Sequence, residues 1–264
     1  MKNNSKNVRK SVLAGYWYPK EEKDLKNLID SFLIDSMNDK RDLKALVVPH
    51  AGYKYSGSVA GEGFSRINKC YNKVFVLGSS HKKAFDGLSV PDYSYYETPL
   101  GKIALDDLCY QIKEENKIVK TINQAHLSEH SIEIQLPFII RLFERNNCDS
   151  KIVPLLFGRV NTDISSKIIQ NYLDDNSLLI VSADLSHFLT DDEARKIDNK
   201  TIESILSLNE INRENSTCNP YGINTLIKIA NNLNWKPELI KYQNSSKITN
   251  DESRVVGYTS IAFY

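Results

Sequence analysis

Residues 21–37 (EEKDLKNLIDSFLIDSM) place Leu25, Leu28, Ile29, Phe32 and Leu33 at intervals of three and four beneath a charged face, the pattern of an amphipathic helix. The next apolar stretch, 43–49 (LKALVVP), is of another kind. Short, continuous and β-branched, it predicts a buried strand. The same pattern returns at 74–78 (VFVLG), 152–157 (IVPLLF), 178–181 (LLIV) and 255–263 (VVGYTSIAF). Helical patterns fall between these runs at 60–67, 105–119, 131–145, 164–173, 194–208 and 221–233. Strands that are apolar at consecutive positions are covered on both faces, and strands alternating with helices of this length make a layered α/β fold. No internal repeat and no Pro-, Gly- or Ser-rich linker divides the chain. The expectation is a single domain over 1–264, with a mainly parallel or mixed central sheet, helices on both faces, and 1–10 as a flexible polar lead-in.

Composition narrows the partners more than the fold. Lys and Arg number 34 against 33 Asp and Glu, a net charge of +1. Nucleic-acid and membrane-surface binders use a basic excess, so neither partner is expected. No window approaches the roughly 18 consecutive apolar residues of a membrane helix, and the polar, basic start has no apolar stretch behind it as a secretory signal does. Cys70, Cys109, Cys148 and Cys218 are scattered and form no C-x-x-C pair, a usage that fits a reducing compartment, with no disulfide needed to hold the fold. These features predict a cytoplasmic protein.

Five histidines concentrate the chemistry. Three follow apolar strands at once: His50 in VVPHAGYKYSG, His81 in VLGSSH, and His187, with Asp184, in IVSADLSH. In an open α/β sheet, ligands bind beyond the carboxyl ends of the strands, where loops converge. These side chains are therefore predicted to meet, although His50 and His187 are 137 residues apart. A lone histidine at a strand end usually caps backbone groups or fills the core rim, whereas three in one topological position point to a shared site. His50 and His81 with Asp184 would supply the two-imidazole, one-carboxylate set that holds non-haem iron with positions left open. His187 would then serve as an acid or base beside the metal. Zinc or copper suits the same donors. A metal-free hydrolase using Ser79, Ser80, Ser182 or Ser186 is the alternative, although none of them lies in a G-x-S-x-G turn.

The other two histidines lie in NQAHLSEHSIEIQLPF (123–138). His126, Glu129 and His130 spell H-x-x-E-H, a zinc-peptidase pattern where one helix carries it. Ser128 is a capping residue and predicts a helix starting after His126, which breaks that geometry. Helical spacing then puts His130 and Glu133 on one face. Either that face turns into the crevice as a catalytic proton relay, or Glu129 and Glu133 merely complement the dipole of a first helical turn.

PHAGYKYSG (49–57), LGSSH (77–81), EHSIEIQLPF (129–138), PLLFG (154–158), SADLSH (182–187) and VVGYTS (255–260), with VLAGYWYP (12–19) ahead of them, resemble the Memo family, protein B of the AmmeMemoRadiSam system in prokaryotes. The motifs stand in family order across nearly the whole chain. The resemblance implies a fold similar to class III extradiol ring-cleaving dioxygenases, with His50 and His81 matching metal-site histidines and Asp184 and His187 matching a nearby Asp and His. It implies a divalent or redox metal, iron or copper ahead of zinc, in an oxidoreductase acting on an unknown small molecule. Radical-SAM and AMMECR-type proteins are implied as partners. Trp17 matches a pocket tryptophan, and Tyr53 and Tyr55 would join it as aromatic anchors. The competing reading is a non-enzymatic module that binds a peptide or partner through a vestigial site. Animal members carry a third metal-site residue, a cysteine, in the segment before the last strand. Aligning YQNSSKITNDESRVVGY there puts Ile248, which cannot ligate, in its place.

Overall fold

A computed structural model of the chain describes residues 7–34, 41–212 and 216–264. Its strands in chain order are β1 (Val8–Arg9), β2 (Ala45–Val48), β3 (Lys73–Ser79), β4 (Leu88–Val90), β5 (Tyr95–Thr98), β6 (Gly101–Ala104), β7 (Val119–Thr121), β8 (Lys151–Phe157), β9 (Ser177–Ser182), β10 (His187–Leu189), β11 (Pro237–Asn244) and β12 (Val255–Phe263). Its helices are α1 (Glu22–Phe32), α2 (Tyr53–Phe64), α3 (Leu108–Glu115), α4 (Asn123–Leu127), α5 (His130–Glu133), α6 (Leu136–Asn146), α7 (Thr162–Gln170), α8 (Asp191–Leu206), α9 (Pro220–Leu233) and α10 (Ser246–Thr249).

Among the described residues, nine strands join in one sheet in the order β10-β12-β2-β9-β3-β8-β4-β7, with β11 also paired to β12. β2, β9, β3 and β8 run parallel through its middle. Antiparallel partners flank them, β12 against β2 and β4 against β8. A smaller sheet has the order β1-β5-β6. Ala45, Val47, Phe75, Leu77, Leu179 and Val181 enter one hydrophobic cluster, and Leu46, Val48, Val74, Val76, Leu178 and Ile180 enter another. Alternate positions of the same strands thus feed cores on opposite faces, which is why the runs are apolar throughout. α3, α7, α8 and α9 supply the first core, and α1, α2 and α6 the second.

Local chemistry sets the helix ends. Thr190 and Glu193 form a capping box at the head of α8, Asn219 caps α9 ahead of Pro220, and Asn147 and Asn234 close α6 and α9 in the left-handed region. The helix expected over 131–145 is split into α5 and α6, because Pro137 has no N–H to give and its ring excludes the carbonyl four residues back. The one expected over 105–119 shortens to α3, since Leu105 bridges to Ile152 and Val119 enters β7. α1 stops at Phe32, and 35–37 of the expected first helix lie outside the described residues.

Two expectations are corrected. Within the lead-in, 1–6 lie outside the described residues, but Val8 and Arg9 pair in parallel with Tyr95 and Tyr96, and the Arg9 side chain is buried. Its guanidinium donates to the carbonyls of His126 and Glu129 and pairs with Glu133. A charge leaves water only with such partners, and finding them fixes this segment in place. Further, Cys70 and Cys148 form a disulfide, while Cys109 and Cys218 are free. Both half-cystines precede neighbouring parallel strands, β3 and β8, whose first residues Lys73 and Lys151 are in register. The sheet thereby brings together cysteines 78 residues apart, which their spacing in the chain does not reveal. Among the described residues no helix is long and apolar enough to cross a membrane.

Candidate metal centre

β2, β9 and β3 are parallel neighbours, so the loops that follow them leave from the same edge. His50 stands two residues after β2, His81 two after β3, and Asp184 two after β9. His130 reaches the same place from the head of α5. The ring centroids of His50 and His81 are 5.1 Å apart, those of His50 and His130 5.0 Å, and those of His81 and His130 4.4 Å. One ligating atom from each of the three lies within 4.8 Å of the other two. Glycine at position 78 makes this approach possible: a Cβ there would sit 2.5 Å from Ser131 Oγ, so any side chain would drive α5 away from the end of β3.

Each imidazole is oriented through its Nδ1. His81 Nδ1 lies 2.9 Å from Glu129 Oε1, and His130 Nδ1 3.2 Å from the same oxygen. His50 Nδ1 lies 3.0 Å from Ser182 Oγ. The Ser182 hydroxyl donates to the Ser131 carbonyl at 2.5 Å and accepts from Gln135 Nε2 at 2.8 Å, so its one proton is spent and it can only accept from His50. With Nδ1–H donating to Glu129 in His81 and to Ser182 in His50, the lone pairs of those two rings stand on Nε2, the arrangement found where histidines ligate metals, while the His130 ring turns its Nδ1 to the Glu129 carboxylate as a charge contact.

Electrostatics favour the neutral form of His50 and of His130. Burial, with the charge of His81, pushes His50 down to about 3. Burial and the neighbouring His50 push His130 down as well. For Glu129 burial acts upward, but it is outweighed by the hydrogen bond and charge of His81, the charge of His130 and the Ser131 N–H, which hold this carboxylate well below its usual range. Backbone N–H groups of His81 (2.7 Å), His130 (3.0 Å) and Ser131 (3.0 Å) all donate to it, and they do so whatever the charge of the imidazoles.

A cavity of about 550 Å³ opens on the three rings, lined also by Tyr16, Trp17, Tyr55, Asp184, His187 and Tyr258. Of the residues expected there, His50, His81, Asp184, His187, Trp17 and Tyr55 are present. The third imidazole of the cluster, however, is His130 and not a carboxylate from Asp184. Asp184 Oδ1 accepts from the His50 N–H at 2.7 Å, which ties the loop ahead of α2, and burial pushes its carboxyl upward. Tyr53 is corrected to a core residue. It is 2% exposed and its hydroxyl donates to the Ile134 carbonyl, because it lies two positions from Tyr55 at the start of α2 and therefore on nearly the opposite side. Glu133 does not enter the crevice either. It is fully buried and bonded to the segment around Val12. The H-x-x-E-H reading ends too: His126 sits in α4, Glu129 itself caps a new helix at His130, and His126 is buried between Ser89 and Tyr96.

Two positions at the cluster have contacts the sequence reading did not give them. Glu129, read there as part of H-x-x-E-H or as a dipole partner, bonds to the His81 ring and lies against that of His130. Cys218 Sγ lies 3.0 Å from His50 Nε2. It stands just ahead of α9 in a loop stitched to the end of β9, where Cys218 N and Thr217 Oγ1 both donate to the Asp184 carbonyl and Asn219 Nδ2 to that of Ser182. Burial keeps this group a thiol. Ile248, by contrast, is exposed on α10 and does not line the cavity. The alignment on the last strand put no donor at the site, and the thiol beside the histidines is that of Cys218, from the loop ahead of α9.

A mixed α/β sheet that gathers three oriented imidazoles at the carboxyl edge of its parallel strands defines the class: an α/β protein with a three-histidine cluster that could hold a metal ion. The chain belongs to the Memo family, whose description, Memo-like protein, matches residues 9–262. It is 31% identical to a MEMO1 family protein of Desulfurococcus amylolyticus and 32% identical to one of Sulfurisphaera tokodaii, each alignment covering 97% of this chain and 99% of the relative. An uncharacterized protein of Escherichia coli K12 shares the fold, with a TM-score of 0.53 over 83% of this chain and 99% of that one at 11% identity.

Proposed function

We propose that His50, His81 and His130 hold a divalent or redox-active metal, iron or copper ahead of zinc, and that the protein is an oxidoreductase acting on a small molecule bound in the adjoining cavity. The observation that carries this reading is that His50, His81 and His130 each bring a ligating atom within 4.8 Å of the other two, with the Nδ1 of His50 and of His81 already bonded to Ser182 and Glu129. Imidazole donors suit iron, copper and zinc alike, and the Cys218 sulfur beside His50 would add a soft donor only as the thiolate. When bound, the metal would supply Lewis-acid or one-electron chemistry to a ligand in the cavity. The protein's own contribution is orientation and proton handling. Ser182 orients His50, Glu129 orients His81, and Asp184, with its raised pKa and His187 nearby, is the group placed to take or give a proton.

Metal analysis of protein purified without an affinity tag, set beside the His50→Ala/His81→Ala double variant, tests the centre. Loss of metal in the double variant is expected, and unchanged content would refute it. Metal-dependent oxygen consumption would separate an oxidoreductase from a binding module. The module reading draws on the exposed aromatic rim of Tyr16, Trp17 and Tyr55, and metal-independent peptide binding lost in Trp17→Ala would favour it. Radical-SAM and AMMECR-type proteins remain the partners we propose, and co-purification from joint expression tests them.

A further inference from the structure

Glu133 points away from the cavity yet organises one of its walls. Its Oε1 accepts from Ser11 Oγ at 2.7 Å, from Leu13 N at 3.0 Å and from the Tyr18 hydroxyl at 2.7 Å, while Val12 N donates to both oxygens and Arg9 pairs with Oε2. All of these donors belong to residues 9–18, which lie as a strap against α5. Between Leu13 and Tyr18 the strap turns back on itself. Gly15, at φ +83°, donates to the Tyr18 carbonyl, and the N–H of Trp17 returns to the Leu13 carbonyl. The tip of that turn carries Trp17, whose ring lies 4.8 Å from that of His130 and whose carbonyl accepts from Tyr53 N at the head of α2. His130 and Glu133 are the first and last residues of the one-turn helix α5. A single turn thus offers a ligating imidazole at one end and the anchor of the strap at the other.

We propose that Glu133 is a positioning residue for the cavity: its carboxylate hangs the segment 11–18 on α5 and so fixes Trp17 as the wall beside His130. This deepens the assignment of the cavity as the ligand site and does not depend on the metal. Replacing the carboxylate by an amide leaves the buried Arg9 without its counter-charge and puts N–H groups opposite the donors of the strap.

The protein contains two tryptophans, Trp17 and Trp235, so a Trp235→Phe background makes Trp17 the only indole emitter. In that background Glu133→Gln is expected to shift the Trp17 emission to the red and to raise its acrylamide quenching constant towards that of the unfolded chain, with the far-ultraviolet circular dichroism retained. Should Glu133→Gln not fold, Ser11→Ala/Tyr18→Phe, which keeps the Arg9 and Glu133 pair, carries the same expectation. Emission and quenching identical to the parent in a folded variant would overturn the proposal. A cobalt(II) titration of the parent separates the two readings. Absence of cobalt binding would remove the metal assignment and leave the Trp17 result to stand or fall by itself.

Discussion

Glu129→Gln isolates the contribution of one carboxylate to the histidine centre. In the native chain Oε2 accepts from His81 N, while Oε1 takes His81 Nδ1 and the N–H groups of His130 and Ser131. Glutamine offers one oxygen and one NH2 group that can only donate. With the oxygen at the Oε1 position, the NH2 faces the His81 N–H; with it at the Oε2 position, the NH2 faces three donors. Either way at least one buried donor is left facing another, and His81 and His130 lose the anionic partner that orients them and raises their basicity. Hydrogen bonds to a charged group are each worth about 1.5–3 kcal/mol. Loss of such partners behind metal-bound histidines typically weakens affinity about 10–100-fold, or roughly 1.4–2.8 kcal/mol at 1.4 kcal/mol per decade. The assay is a visible-absorption titration with cobalt(II) under anaerobic conditions, checked by calorimetry, with circular dichroism to establish that the fold is intact. Cobalt affinity within about twofold of the native protein, well short of the decade or more expected for that partner, would refute the role given to Glu129.

Two further outcomes test the fold that supports the site. Reducing the Cys70–Cys148 bridge, or replacing it with serines, opens a loop of 78 residues. The chain-entropy relation values that closure at about 4–5 kcal/mol, and for a 264-residue chain this lowers the Tm by about 8 °C in a thermal scan with and without reductant. The cobalt isotherm should not move, because the bridge lies at the opposite edge of the sheet. Separately, His126 is held neutral, pushed down by burial to about 3 from an ordinary value of 6.5. The unfolded chain takes up this proton and the folded chain refuses it, so the associated stability is complete above pH 6.5 and lost as pH falls towards 3. By pH 4.5 the loss is about 2–3 kcal/mol. Urea unfolding at pH 7 and pH 4.5 should show a smaller difference in His126→Gln than in the native protein, and equal differences would contradict the assignment.

The parallel core was legible because strands buried on both faces leave uninterrupted apolar runs, and 43–49, 74–78, 152–157 and 178–181 all became strands of the central sheet. The meeting of His50 with His81 followed from the same topology. What stayed hidden depended on contacts between distant segments. His130 enters from a helix head, so no strand-end pattern marked it as the third imidazole. The helical face that joins His130 to Glu133 is real only over one turn, and the N-terminal strap claimed its far end. Strands such as β1, two residues long, have no periodicity to detect. Cys218 met His50 because the loop before α9 is bonded to the end of β9, a relation that alignment on the last strand could not contain.

The order of the central sheet also constrains when the site can exist. β2, which delivers His50, lies between β9 and β12, with Ala45 opposite Leu179 on one side and Phe263 on the other. A chain emerging from the ribosome therefore exposes both edges of β2 until more than a hundred further residues have been made, and one edge until β12 arrives. His50 follows β2 and His81 follows β3, with β9 between them, so their meeting waits on a strand made about a hundred residues after either. Because such long-range pairings close slowly, the histidine cluster is a product of late sheet assembly and not of any local segment.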